Sequence, residues 1–307
     1  MSFFPCPDPE PGDSASVDQV EMLIIPRTSD IGNFEVRRAL PTAKRRLVGP
    51  FIFFDRMGPA VLKAGQAVDV RPHPHIGLST VTYLFEGEMA HRDSLGTGMV
   101  IRPGDLNLMT AGRDIVHSER TPDDLRGREY ALSGLQTWLA VPDSHEEMDP
   151  AFLHQVVETM PAFADRGYAG RVVIGRFQGL TSPVPTPTDT LYVDLRIEPH
   201  SACPFHAGAE ERAAYILSGS LMVSGTRYEA DQLLVFRPGD TVDLVTGDEP
   251  CHVMLFGGET MESKRYIWWN FVSSSKERIE QAKEEWRSGR FDIVPGDEQE
   301  FVPLPAN

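Results

Sequence analysis

Cysteine is scarce in this chain. Only Cys6, Cys203 and Cys251 occur. The number is odd and no CxxC spacing is present, which argues against a disulfide framework and fits a reducing compartment. No apolar run approaches ~18 residues, so no helical membrane span is expected. The start of the chain, MSFFPCPDPEPGDSAS, lacks the basic residues and apolar stretch of a secretory signal. These absences together point to the cytoplasm. Basic charge is short as well, with 29 Lys and Arg against 45 Asp and Glu and a formal net charge of −16. Such a surface repels phosphate backbones and anionic lipids, so direct nucleic-acid or membrane binding is not expected. The one basic cluster, Lys44, Arg45 and Arg46, reads as a solvated turn. No P-loop, dinucleotide fingerprint or nucleophile elbow is present.

What the chain does have is turns. There are 26 glycines and 25 prolines among 307 residues, and 41% of the residues are hydrophobic, enough for real cores between many short strands. Residues 1–18, rich in Pro, Asp, Glu, Ser and Gly, read as a flexible leader. From there short apolar runs recur between turn residues: Val20–Ile25, Phe51–Phe54, Ser79–Phe85, Met99–Ile101 and Leu132–Val141. Strands at this spacing, without amphipathic helices between them, predict an antiparallel barrel or sandwich. The rhythm returns later. YILSGSLMV parallels YLFEGEMAH, and VFRPGDTVDL parallels VIRPGDLNLM, an internal repeat of roughly 135 residues that indicates one fold used twice. The predicted organisation is a first barrel over residues 19–145 and a connection over 146–190 that includes the proline-rich TSPVPTPTDT. A second barrel follows over 191–260, then a tail over 261–307. Within the tail, Ile279, Ala282 and Trp286 fall on one face of a helix predicted over Lys276–Arg290, packed on a barrel. Trp268 and Trp269 read as packing residues.

Two pairs carry the chemistry. His73 and His75 stand two apart, so in a strand both project to one face. Pro72 and Pro74 keep the backbone extended and suit a strand edge or barrel rim. His117 and Glu119 form a second pair with the same spacing, after two turn clusters that bring the chain back. Three imidazoles and one carboxylate form a ligand set for one divalent metal with two open octahedral positions. That set suits Fe(II), Mn(II) or Ni(II) better than a closed structural zinc site; Fe(II) is the metal expected, with Mn, Ni, Cu or Zn the alternatives. His91 reads as a surface residue, or else as one lying behind the pocket. His206, Glu210 and His252 could form an incomplete second set, and Cys203 and Cys251 read as small buried residues.

The segments RPHPHIGLSTVTYLFEGEMAHRDSLG and PGDLNLMTAGRDIVHSERTP resemble the two signature segments of the pirin family, within the cupin superfamily. The likeness extends over RRLVGPFIFFDRMGP, the second repeat and YIWWNFVSSSKERIEQAKEEWRSGRF. It implies an all-β bicupin: two tandem cupin barrels facing one another, with a C-terminal helix. The metal would lie in the N-terminal barrel on His73, His75, His117 and Glu119, and the second barrel would be metal-free. Ile76 and Leu108 depart from the family pattern and predict an altered pocket wall. For function, the resemblance implies a quercetin 2,3-dioxygenase-like enzyme acting on a small aromatic flavonol. Glu119 would there be ligand and, as the catalytic residue, base for the hydroxyl proton. The alternative is a non-enzymatic, metal-dependent regulator that binds protein partners. A monomer is expected.

Overall fold

The computed structural model describes residues 19–30, 34–239 and 241–305. The leader expected over residues 1–18 lies outside the described residues, as does Cys6. The described residues are all-β apart from short 3-10 turns and one α-helix, Lys276–Arg287. Its contacts divide it into two compact units. One contains Pro26–Met160 and the chain from Met261 onward; the other contains Pro161–Thr260 and the described residues up to Ile25. The proline-rich stretch 181–190 therefore lies inside the second of these units. The strand Val20–Ile24 also belongs there, pairing with Leu233–Phe236, and the C-terminal tail belongs to the unit that carries the four candidate ligands.

Each unit has a seven-stranded and a four-stranded antiparallel sheet, and the strand orders match between units. In the ligand-bearing unit the order across the centre of the large sheet is Leu106–Thr110, Leu78–Glu86, Tyr130–Ala140, Phe51–Leu62. In the other unit it is Leu233–Phe236, Glu211–Ser218, Cys251–Gly258, Thr190–Ile197. The turn shared by YLFEGEMAH and YILSGSLMV sits at the same place in both. Gly87 (φ +81°) and Gly219 (φ +74°) adopt left-handed backbone there. A Cβ would lie 2.3 Å from the Ala131 carbonyl oxygen in one case and 2.1 Å from that of Pro250 in the other, so only glycine fits. The shared RPGD is different. In the first unit it precedes the strand Leu106–Thr110, and in the second its described residues, Arg237–Gly239, follow the equivalent strand Leu233–Phe236. The same short sequence has recurred at two non-equivalent places.

The second unit's interior is apolar. Leu195, Phe205, Ile216, Leu234, Leu244, Val253 and Leu255 belong to one apolar cluster drawn from both of its sheets. Burying each such side chain contributes roughly 1.5–3 kcal/mol. In the other unit, Val36, Met57, Leu84, Met89, Ile101 and Leu132 form an apolar cluster, and Val36, Met57 and Met89 of it face a cavity. The tail covers that barrel's outer face. Ser275 Oγ accepts a hydrogen bond from Arg278 N to start the helix, and paired bonds from Gly289 N to Trp286 O and Arg290 N to Glu285 O end it. The helix spans Lys276–Arg287 rather than running to Arg290, and buries Ile279 and Ala282 as expected. They pack in a cluster with Ile76, Val116, Phe271, Phe291 and Val294.

Candidate metal centre

The four-stranded sheet of the first barrel runs Asp69–His75, Ile115–Arg120, Met89–Asp93, Gly98–Ile101. His117 lies directly opposite His73, and Ile115 opposite His75. Alternation then sorts the side chains. His73, His75 and His117 turn inward, while their neighbours Ile76 and Val116 turn outward into the helix-covered cluster. The register shifts between His117 and Glu119, because Val70 rather than Arg71 opposes Glu119. The extra residue is accommodated at Arg71-Pro72, where proline has no N–H to lose from the ladder.

The three imidazoles converge. One ring nitrogen from each lies within 4.8 Å of the others, and ring centroids are 4.3 Å apart for His73–His117 and 5.0 Å for the other two pairs. All three are buried. Burial, first of all, lowers the His73 pKa to about 4 and holds those of His75 and His117 well below 6.5, with neighbouring imidazoles adding to the effect. The rings are therefore neutral, as metal ligands must be. His73 Nδ1 donates to the Arg71 carbonyl at 2.9 Å, which leaves Nε2 with a free lone pair. Both ring nitrogens of His117 and Nδ1 of His75 are buried without a protein partner. Each such group costs about 1–3 kcal/mol if left unsatisfied. This arrangement fits a divalent transition metal, and it is the one group of metal-ligating side chains found among the described residues.

Glu119 stands beside this group rather than within it. Its carboxylate is buried and lines the same cavity. Oε1 accepts a hydrogen bond from Gln136 Nε2 at 3.2 Å, and Gln136 Oε1 accepts one from Thr82 Oγ1 at 2.8 Å. Burial raises the Glu119 pKa, while the charge of His91 and hydrogen bonds from Gln136 and Thr82 oppose the rise. His91 is not at the surface. It is buried on the strand opposite Glu119, its ring 5.3 Å from that of His117 and stacked 4.5 Å from Phe152. Its Nε2 lies 3.0 Å from Asp93 Oδ2, and Asp93 Oδ1 is held by the amides of Leu95 and Thr97. His91 thus braces His117 from behind. The sequence hint was the alternation Met89, His91, Asp93, which puts all three on the inner face.

The centre opens onto a cavity of about 390 Å³ lined by Val36, Phe53, Met57, Val68, Val70, Met89, Trp138 and Trp269, with Arg38, Asp55, Gln136 and Asn270 as its further polar groups. Trp269 does more than pack, since it forms part of this wall. Ile76 and Leu108 do not line the cavity. Ile76 is turned toward Phe271 and Leu108 is buried in the large sheet, so these departures do not alter the pocket. In the other barrel the candidate residues stay apart and are engaged elsewhere: His206 with Thr241, Glu210 with the Thr260 amide and His252 with Asp194. Cys203 and Cys251 are buried free thiols, both pushed up to about 12 by burial.

Comparison with known proteins agrees with this fold. The pirin family model matches residues 33–139, and that of the pirin C-terminal cupin domain matches residues 192–292. A pirin-like protein of Caulobacter vibrioides is 46% identical over 93% of this chain and 99% of its own. This chain belongs to the pirin family. Its two barrels are cupin domains. A Pseudomonas aeruginosa protein named "putative quercetin 2,3-dioxygenase" is 34% identical, over 91% of this chain and 89% of its own. The crystal structure of a quercetin 2,3-dioxygenase from Acinetobacter baumannii superposes with a TM-score of 0.87, at 34% identity, covering 95% of this pirin and 97% of that chain. No helix among the described residues is long and apolar enough to cross a membrane.

Proposed function

We propose that this pirin is a cytoplasmic mononuclear metal dioxygenase with quercetin 2,3-dioxygenase-like activity on flavonol-type substrates. The observation that carries the reading is the group of three neutral imidazoles, buried and without enough protein partners, two of which, His73 and His75, line an aromatic-walled cavity. Cavities of this size, mostly apolar with a few placed polar groups, suit small ligands. His73, His75 and His117 would hold the metal, with Glu119 as a fourth ligand; Fe(II) is the first candidate, and Mn, Ni, Cu or Zn would also suit the set. The metal supplies Lewis-acid character and a template for the two reactants.

The protein's own groups do the rest. The aromatic walls hold a planar ring system and exclude water. Glu119 accepts the proton of the flavonol hydroxyl, its carboxylate steadied by Gln136 and made more basic by burial. His91, fixed by Asp93, packs its ring against that of His117.

The test is metal-loaded protein under air with quercetin, following the flavonol absorption band and dissolved oxygen. The reading expects parallel loss of both, abolished in His117→Ala. An unchanged band with metal-replete protein would refute it.

A further inference from the structure

One row of side chains crosses the large sheet of the metal-bearing barrel. Arg38 pairs with Asp55, Asp55 with Gln136 and Gln136 with Thr82, each directly opposite the next on neighbouring strands. All four are polar in a sheet whose facing residues are otherwise largely apolar. One end of the row serves the metal centre, because Gln136 holds Glu119. The other end is a fixed guanidinium. Arg38 Nε and Nη2 donate to the two oxygens of Asp55 at 2.8 and 2.7 Å, and its Cζ lies 4.4 Å from the Phe53 ring centroid. Phe53 stacks on Trp138 at 4.1 Å and 13°, and Trp138 meets His75 edge-on at 5.2 Å. A continuous aromatic wall thus joins the two polar ends, and all of these residues except Thr82 line the one cavity. Arg38 and Gln136 are two strands apart, or roughly 10 Å at the usual strand spacing.

Arg38 Nη1 donates to no protein acceptor among the described residues. A bidentate, aromatic-backed guanidinium with spare N–H groups on a pocket wall is a recognition element. Its charge is already matched by Asp55, so the site disfavours a second carboxylate beside that buried anion. A neutral hydroxyl satisfies both partners, accepting from Arg38 and donating to Asp55.

We infer that Arg38 and Asp55 bind a phenolic hydroxyl at the far end of a planar aromatic substrate and so set which flavonols this pirin accepts. This rests on the dioxygenase reading above and adds a second point of recognition to it. The substrate class becomes polyhydroxylated planar phenols of two or three rings, bound at both ends rather than at the metal alone.

The experiment compares binding of quercetin and of 3-hydroxyflavone, which lacks the distal hydroxyls, to metal-loaded protein by quenching of tryptophan fluorescence. Metal content is measured alongside. Wild type should bind quercetin about tenfold more tightly, as expected for one hydrogen bond to a charged donor. Arg38→Met alone would strand a buried carboxylate. The informative variant is therefore Arg38→Met combined with Asp55→Leu, which should bind both flavonols alike and keep wild-type metal content and 3-hydroxyflavone affinity. Equal binding of the two flavonols by wild type, or a preference that survives in the metal-replete double variant, would overturn the inference while leaving the dioxygenase reading intact. Failure of wild type to bind either flavonol would overturn both.

Discussion

Stripping the metal and lowering the pH should destabilise this pirin steeply, and His73 gives the scale. Its pKa in the fold is about 4 against an ordinary 6.5. Between these values the unfolded chain binds a proton that the folded one refuses. The contribution of neutral His73 is therefore whole above pH 6.5 and is lost as pH falls toward 4. Going from pH 7 to pH 5 removes roughly 2 kcal/mol through this residue alone. His75 and His117 are shifted in the same direction by the same burial, so His73 sets a floor rather than the total. Against a typical domain stability of about 5–15 kcal/mol, that is a large loss. Bound metal opposes it at pH 7, by about 2.7 kcal/mol at a free concentration one hundred times Kd, and less as protons compete for the ligands. The assay is urea unfolding of apo and metal-loaded protein at pH 7, 6 and 5, with His73→Ala as the reference that removes this one titration. Wild-type apo protein should lose about 2 kcal/mol more than His73→Ala over that interval. Equal pH slopes for the two would show that His73 protonates freely in the fold, and would refute the picture of a buried, neutral ligand set.

Other outcomes follow from the same geometry. Glu119→Ala should lower metal affinity and abolish flavonol turnover while leaving the circular dichroism of the folded protein unchanged, because the strands around it are held by apolar packing. Gln136→Leu removes the donor to Glu119 and should cut turnover at unchanged metal stoichiometry; unchanged kcat would show that Glu119 needs no such support. Gly219→Ala, which drives a Cβ into the Pro250 carbonyl, should cost roughly 2–3 kcal/mol, read by urea unfolding, and leave metal content intact. His206→Ala should change neither metal content nor stability appreciably, and a lost equivalent of metal would reveal a site in the second barrel.

Much of this was readable from residue order because the informative signals are local. Alternation in His73–His75 and His117–Glu119 puts side chains on one face whatever the rest of the fold does. The glycine turns at Gly87 and Gly219 mark the same corner of both barrels. Local signals misled where the same short sequence serves different places, as with the two RPGD segments. They also fell short where a side chain's surroundings come from distant strands. Nothing around His91 in the sequence announces that Phe152 and His117 will enclose it. The row Arg38, Asp55, Gln136 and Thr82 draws each member from a different strand, so only the pairing register assembles it. The division into units was hidden for the same reason: Val20–Ile24 joins a sheet whose other strands lie more than a hundred residues away.

The central claim is that His73, His75 and His117 hold one metal ion. Elemental analysis of purified, untreated protein beside His117→Ala and His206→Ala tests it most directly. The account predicts about one equivalent of a divalent transition metal per chain, lost in His117→Ala and retained in His206→Ala. Protein that holds no metal even after reconstitution, or a His117→Ala variant that keeps its full equivalent, would contradict it.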